Sequence, residues 1–147
     1  MRVSPAVGPE ETRETLEALT SGWVDDAESD VVWAGEHEGR WGIRMAQQAR
    51  DFTTIWFDVG ERTMAVEAYL LPNPPRGHAE VYRLCLLRNA SSWPVVICLD
   101  TQGDLYIRGR RALSEMSVAT IDGLVGAVYE VVELSFKPLV RIGFGPT

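Results

Sequence analysis

The sequence predicts an α+β fold in which helices cover an antiparallel sheet, with the element order α-β-β-β-α-β-β-α. Residues 41–71 contain three neighbouring segments that alternate apolar and polar side chains, the pattern of half-buried strands. Val95–Leu99 is an almost continuous apolar run, which is typical of a central strand. Beyond Ser117, apolar residues recur every three or four positions, which indicates a long helix.

One domain is expected from the length of 147 residues. A chain of this size can bury roughly two-thirds of its unfolded surface in a single core. We expect the domain to span residues 1–147, with residues 1–8 and 143–147 as flexible tails. The net charge of −7 repels a phosphate backbone, so we expect no nucleic-acid partner.

The expected location of the protein is the cytoplasm. No apolar run approaches the roughly 20 residues that span a bilayer, so no membrane partner is expected, and the first residues lack the apolar stretch of a secretory signal. Cys85 and Cys98 fall in predicted apolar elements and are expected to be reduced, with a disulfide as the alternative. Lys137 is the only lysine, a bias that suggests a GC-rich bacterial genome.

The first helix is predicted to begin at Pro9, because the first turn of a helix does not need the N–H that proline lacks. Gly22 is its expected end. A narrow apolar stripe indicates that this helix lies on a larger element. The acidic segment that follows, residues 25–39, is expected to be a loop with at most a short strand over residues 31–33.

Three predicted strands, over residues 41–50, 52–59 and 62–71, form an antiparallel meander with one buried face. The opposite face carries Phe52, Trp56 and Tyr69. Exposed aromatic side chains are enriched in protein-binding surfaces. We therefore expect this face either to be covered by the first helix or the acidic segment, or to bind a partner.

The second helix is predicted over His78–Asn89, after a segment with three prolines that cannot continue a strand. Its apolar residues occupy more than one side, so two sides must be covered. The surplus includes Tyr82, Leu86 and Leu87. Either the last helix packs on this surplus, or a second copy of the chain does so in a two-fold dimer.

The remaining elements are a hairpin and the final helix. Residues 100–103 are predicted to turn the central strand into its partner, residues 105–108, and the basic residues 108–111 are expected at an exposed strand end. Ser117 is the expected cap of the final helix. Lys137-Pro138 is expected to kink or end that helix, because proline removes a backbone donor.

No group of residues has the spacing of a catalytic or metal site. Cys98 lies within an apolar strand, where a thiol is inert, so a triad with His78 and Asp100 is not supported. His37 and His78 lack nearby ligands, and the acidic residues 36–38 do not have the spacing of a calcium loop. We therefore predict no catalytic residue, no metal and no cofactor.

Three short motifs follow one another in order: Tyr82-Arg83 through Leu87-Arg88-Asn89, then residues 96–100, then Gly103-Asp104-Leu105. On these motifs the chain resembles an actinobacterial member of the YbjN family, whose members resemble type III secretion chaperones in fold. The resemblance implies the element order given above. Asn89 would then end a helix, where asparagine tolerates left-handed geometry, and the other motifs would form a turn.

The resemblance also implies a non-enzymatic, often dimeric, protein-binding module, with relatives described as sensory or stress regulators. We expect a homodimer in which Phe52, Trp56, Tyr69 and Arg44 bind an unidentified protein segment. The acidic surface would favour basic segments. The dimer would form through the surplus apolar residues of the second helix. The alternative is a small-ligand sensor whose pocket, between helix and sheet, is lined by Trp41, Trp56 or Trp93.

Overall fold

Three helices pack against a six-stranded antiparallel sheet in the computed structural model, which describes residues 7–146. The helices are α1 (Pro9–Asp25), α2 (His78–Asn89) and α3 (Val118–Phe144). The strands are β1 (Val31–His37), β2 (Arg40–Ala46), β3 (Phe52–Val59), β4 (Thr63–Leu71), β5 (Val95–Leu99) and β6 (Leu105–Ala112). Their order in the sheet is β1-β2-β3-β4-β6-β5, and a short 3-10 turn, Leu113–Glu115, precedes α3.

The predicted fold class is confirmed, with one additional strand. The acidic segment expected to be a loop forms β1, which pairs with β2 from Val31 to His37 at one edge of the sheet. An edge strand pairs on one side only and tolerates polar residues, so its sequence lacks a clean alternation. A register shift between Val31 and Trp33 interrupts that alternation further.

The core lies between the sheet and the helices. Its largest fully buried side chains come from β2, β3, β4 and β6 on the sheet and from α1 and α3 above it. On α1 the buried stripe is Thr12, Leu16 and Thr20, and the Trp41 indole N–H donates to Thr20 Oγ1 at 2.9 Å. The first helix therefore lies on the sheet as expected, but it continues past Gly22 to Asp25.

The final helix passes through Pro138 and continues to Phe144, so it does not end at Lys137-Pro138. Proline at position 138 leaves the carbonyl of Leu134 without its helical donor. The Arg88 side chain of α2 supplies a donor instead, with Nη2 3.2 Å from Leu134 O. A contact between two helices thus replaces a bond within one helix.

The expected C-terminal tail is partly helical. Gly143 lies within α3 and is buried, and a Cβ at this position would meet Pro74 Cβ at 2.6 Å. The three-proline segment before α2 therefore packs on the end of α3. The expected N-terminal tail lies mostly outside the described residues, which include only Val7 and Gly8 of it.

Both cysteines are free thiols, as expected. Cys85 is buried between α2 and the core, and burial raises its pKa to about 11. Cys98 is half-buried on β5. Among the described residues, no helix combines the length and the apolarity needed to cross a bilayer.

Candidate functional site

The helices leave one face of the sheet open over residues 7–146, and we call it the outer face. Every second residue of each strand points away from the helices. The outer face therefore collects side chains from all six strands. Among them are Trp33, His37, Arg40, Arg44, Phe52, Thr54, Trp56, Asp58, Glu67, Tyr69, Tyr106, Arg108 and Arg110, with Val96 and Cys98 from β5.

All four residues predicted as a partner surface lie on the outer face. Phe52 and Tyr69 are 41% and 43% exposed, Trp56 is half-buried, and Arg44 is exposed. The Arg44 guanidinium lies over the Phe52 ring at 4.2 Å. The expectation that the first helix or the acidic segment covers these aromatics is wrong for the described residues. The helix packs on the opposite face, and the acidic segment extends the sheet as β1.

Trp56 packs closely on the sheet because its neighbours on β1 and β2 are glycines. Gly42 pairs with Trp56, and a Cβ on Gly42 would meet Trp56 Cζ3 at 2.5 Å. Gly35 likewise leaves room for Trp33, because a Cβ added to Gly35 would lie 2.9 Å from Trp33 Cζ2. The two indoles meet edge to face at 6.4 Å. Glycine within a strand often marks a close approach, and here it lets both indoles pack close to the backbone of β1 and β2.

Tyr69 is the second aromatic centre of the outer face. Its ring meets Tyr106 of β6 edge to face at 5.4 Å. Desolvation by burial and the nearby carboxylate of Asp104 raise the pKa of Tyr69. Arg50 fixes the strand beneath by donating to the carbonyl oxygens of Tyr69 and Leu70 at 2.7 and 2.6 Å.

Charged groups lie between the two aromatic centres. Glu67 accepts from Arg108 Nε at 2.9 Å, and its other oxygen lies 3.7 Å from Arg40 Nη1. The guanidinium of Arg40 lies 5.1 Å from the Trp56 ring centre, and that of Arg108 lies 5.0 Å from Tyr106. Such stacking holds the arginines above the rings while leaving donors exposed.

The outer face contains two adjoining shallow depressions, with volumes of about 440 and 400 Å³. Both are lined by Arg40, Trp56 and Glu67, so they form one continuous surface. The first extends over Ala65 to β6, and the second extends towards Tyr69. Their shape is that of a docking surface rather than of an enclosed ligand cavity.

Sequence reasoning missed part of this surface. Trp33 and His37 lie on the strand that was expected to be a loop, although the apolar residues 31–33 gave a signal. Tyr106 was also not predicted. Its alternation with the apolar residues Leu105 and Ile107 was the signal that it faces the opposite side from them, as Tyr69 does. The basic segment at residues 108–111 is not an exposed strand end, because β6 continues to Ala112.

The second predicted surface is on α2. Val81 and Cys85 are buried because they lie on the side of α2 that faces α3 and the sheet. Leu86 and Leu87 are 70% and 53% exposed, so the last helix does not cover them. Tyr82 is half-buried and stacks on His78 at 5.8 Å. Beside the end of α2, exposed Trp93 and Leu134 line one surface groove of about 220 Å³.

The residues considered for catalysis have structural contacts. His78 Nε2 lies 2.6 Å from the Pro74 carbonyl, and Asp100 Oδ1 accepts from the backbone N–H groups of Gln102 and Asp104 at 2.8 and 2.9 Å. The described residues contain no group of three or more His, Cys, Asp or Glu side chains placed to hold a metal ion.

Of the three tryptophans named as alternatives for the predicted ligand pocket, Trp41 lies between a helix and the sheet. Trp41 faces α1, Trp56 lies on the outer face, and Trp93 is 79% exposed beyond α2. The cavity between α1 and the sheet, next to Trp41, has a volume of only about 140 Å³. Small-molecule sites usually have about 300–1,000 Å³.

The sequence profile of the YbjN family, described as "Putative bacterial sensory transduction regulator", matches residues 13–140. This chain belongs to the YbjN family. Its fold is that of the type III secretion chaperones. It is similar to a chain in the structure of the heterodimeric ExoU–SpcU complex of Pseudomonas aeruginosa, with 16% identity and a TM-score of 0.58. The match covers 84% of this chain and 96% of that one.

A second solved structure has the same fold. It contains the Yersinia pestis type III secretion chaperone SycH in complex with a stable fragment of YscM2. The TM-score is 0.52 at 9% identity, and the match covers 82% of this chain and 99% of that chain. At such identities the likeness concerns the fold alone.

The curated relatives are mycobacterial. An uncharacterized protein of Mycobacterium leprae is 34% identical over 102 residues, which are 69% of this chain and 55% of the relative. An uncharacterized protein of Mycobacterium tuberculosis is 38% identical over 86 residues, which are 58% of this chain and 47% of the relative. The chain thus spans about half the length of these relatives.

The residues that carry the YbjN resemblance have structural roles. Asn89 does not adopt left-handed geometry. Its side-chain amide instead pairs with the backbone of Ile97, donating to the carbonyl at 3.0 Å and accepting from the N–H at 2.8 Å. The amide thereby occupies the free edge of β5. Gly103 has a φ of 89°, and its close contact with Asn73 leaves no room for a Cβ.

Proposed function

We propose that this YbjN protein is a non-enzymatic, chaperone-like regulatory module that binds a segment of another protein on its outer face. Arg44, Phe52, Trp56 and Tyr69 would form the contact, together with Trp33 and Tyr106. Cytoplasmic action is part of the proposal, and the two free cysteines support it.

One observation carries the proposal: aromatic and arginine side chains line a continuous, uncovered sheet surface. Aromatic residues and arginine are the types enriched in protein interfaces and in their energetic hot spots. A surface of this kind is rarely left open without a partner. The two solved structures of the same fold support the proposal, because each contains a complex with another protein or fragment.

Site-specific crosslinking tests the outer face directly. The photo-crosslinker p-benzoylphenylalanine is introduced at Thr54, which lines one depression, and at Ala119, an exposed residue of α3, as the control. We expect a specific crosslinked protein from the Thr54 position and not from the Ala119 position. Trp56→Ala in the Thr54 variant should reduce the product. Equal crosslinking at the two positions would contradict the proposal.

We propose further that the module is a homodimer joined through Leu86, Leu87 and Tyr82 of α2. The exposed leucines support this, because a self-complementary apolar patch is the usual basis of a two-fold dimer. Leu86→Asp should give a monomer by light scattering with little loss of stability, whereas Val96→Asp, on β5, should leave the mass unchanged. A wild-type mass equal to that of Leu86→Asp would refute the dimer.

A small-ligand sensor is the second candidate function. The cavity beside Trp41 is small for this role, as described above. A thermal-shift screen of metabolites tests the candidate, because a bound ligand raises the melting temperature by mass action. A strong shift that is lost in Trp41→Phe would favour the sensor over the protein-binding module.

A further inference from the structure

The outer face and the whole chain have charges of opposite sign. Four arginines point from the outer face, against the carboxylates of Asp58 and Glu67. Counted over these strand residues, the outer face therefore has an excess of two positive charges, whereas the chain has a net charge of −7. Arg50 and the carboxylates of Asp100 and Asp104 lie beside Tyr69, so the positive excess is smaller at that end. The rest of the protein is correspondingly acidic. The arginines are Arg40, Arg44, Arg108 and Arg110.

Two of these arginines can take a further partner. Over residues 7–146, neither Arg44 nor Arg110 has a carboxylate within ion-pair distance. Arg44 is exposed and lies over Phe52, and Arg110 is exposed and donates to Thr63 Oγ1 at 3.0 Å. Each guanidinium has five N–H donors, so most of them remain open to a carboxylate.

The strand registers set the distance between the two arginines. On β3, the partner of Arg44 is Thr54. Arg110 pairs with Ala65 of β4, and Ala65 pairs in turn with Asp58, four residues beyond Thr54 on β3. Their backbones are thus three strand spacings apart across the sheet and four residues apart along it, a distance of roughly 20 Å. An extended chain covers this distance with about six residues. Trp56 and Glu67 lie between them.

We propose that the partner segment is acidic, with carboxylates about six residues apart that pair with Arg44 and Arg110. Apolar side chains between them would pack on Trp56. This inference rests on the proposed function and specifies its partner. It reverses the expectation from net charge, which favoured basic segments, because the sign of the binding face and not of the chain selects the partner.

A single-stranded nucleic acid is the other anionic partner to consider. Bases bind such sheets by stacking on open aromatic faces. Here guanidinium groups already occupy ring faces of Phe52, Trp56 and Tyr106. This arrangement disfavours stacked bases. It leaves free guanidinium donors that can pair with the carboxylates of a protein segment.

Fluorescence anisotropy with designed peptides tests the inference. The probe is a labelled 12-residue peptide with aspartate or glutamate six positions apart and with leucine and valine between. We expect it to bind about tenfold more tightly than the same peptide with asparagine and glutamine, and more weakly as salt rises. Arg44→Glu and Arg110→Glu should each weaken binding about tenfold, a loss that charge pairs at interfaces commonly give. Arg141→Glu, on the helical side, should leave it unchanged.

Control variants and probes separate the outcomes. Arg44→Gln and Arg110→Gln, with folding verified by circular dichroism, serve if charge reversal disturbs the sheet. The acidic preference would be overturned if peptides with amides or lysines bound as tightly as the acidic probe. If that binding were lost in Trp56→Ala, the proposed function would remain intact. No binding of the acidic probe would also overturn the preference. Binding of a 12-nucleotide RNA in place of every peptide would overturn both.

Discussion

The two faces of the sheet come from the same strands but have different chemistry. The inner face presents aliphatic side chains such as Ile43, Ile55 and Val66, which the helices cover completely. The outer face presents flat rings, guanidinium groups and carboxylates. Covering such a face with a helix would bury charges at a high cost. One face thus provides the stability of the fold, while the other remains available for a partner with matching charges.

The largest expected effect separates the two faces at neighbouring positions of β3. Phe57 is fully buried on the inner face, so Phe57→Ala should reduce the free energy of unfolding by about 3–5 kcal/mol. Trp56→Ala, on the outer face, should cost only about 1 kcal/mol, although it removes a larger side chain. Urea denaturation measures both. Similar losses for the two variants would mean that the outer face is also part of the core.

An intermediate effect concerns the helices that cover the inner face. Arg88→Ala removes the donor that replaces the missing N–H of Pro138, and it should cost about 1 kcal/mol. In a Pro138→Ala background the backbone can donate to Leu134 O again, so the same substitution should cost less. A double-mutant cycle in urea measures this coupling. Equal costs in both backgrounds would show that Arg88 does not compensate for the proline.

The smallest effect is a pH dependence at the edge of the sheet. Glu133 of α3 accepts from Ala49 N at 2.9 Å, Gln47 Nε2 at 2.7 Å and Gln48 N at 3.1 Å. The Ala49 bond, followed by the Gln47 and Gln48 bonds, lowers the pKa of Glu133 against the opposing effect of desolvation. A lowered pKa contributes stability above the unfolded-state pKa of about 4.3, and this stability is lost as pH falls through the folded-state pKa.

Glu133→Gln tests this dependence. Its melting temperature should fall less than that of the wild type as the pH is lowered from 5 into the acid range. The difference should be small, because the carboxylate is partly exposed and solvent screens its interactions. Glu130→Gln, an exposed neighbour one turn away on α3, is the matched control. Parallel pH profiles for Glu133→Gln and the wild type would contradict the assignment.

Much of the fold was predictable because periodicity and breaker residues are local signals. The bounds predicted for α2, for β5 and for β3 agree with the structure. The missed features depend on tertiary contacts. β1 is stabilised by pairing with β2, and α3 continues through Pro138 because Arg88 comes from another helix. No pattern within either segment contains that information.

The candidate site was predictable in part for the same reason. Alternation placed Phe52, Trp56 and Tyr69 on one face, and they lie there. It could not show whether a helix would cover that face. The positive sign of the outer face was also hidden, because its arginines are far apart in sequence and the net charge of the chain is negative. Only the strand order brings Arg40 and Arg108 together on Glu67.

The five tryptophans report on different regions, so their indole N–H signals in an NMR titration test the account most directly. Trp33 and Trp56 lie on the outer face, Trp41 donates to Thr20 in the core, and Trp93 is exposed beyond α2. Signals are assigned by single Trp→Phe variants, and the titrant is a protein captured by the wild-type chain. If the partner binds the outer face, the signals of Trp33 and Trp56 shift on binding while that of Trp41 stays in place. Binding on the outer face would be contradicted if the signal of Trp41 or Trp93 shifted while the signals of Trp33 and Trp56 stayed in place.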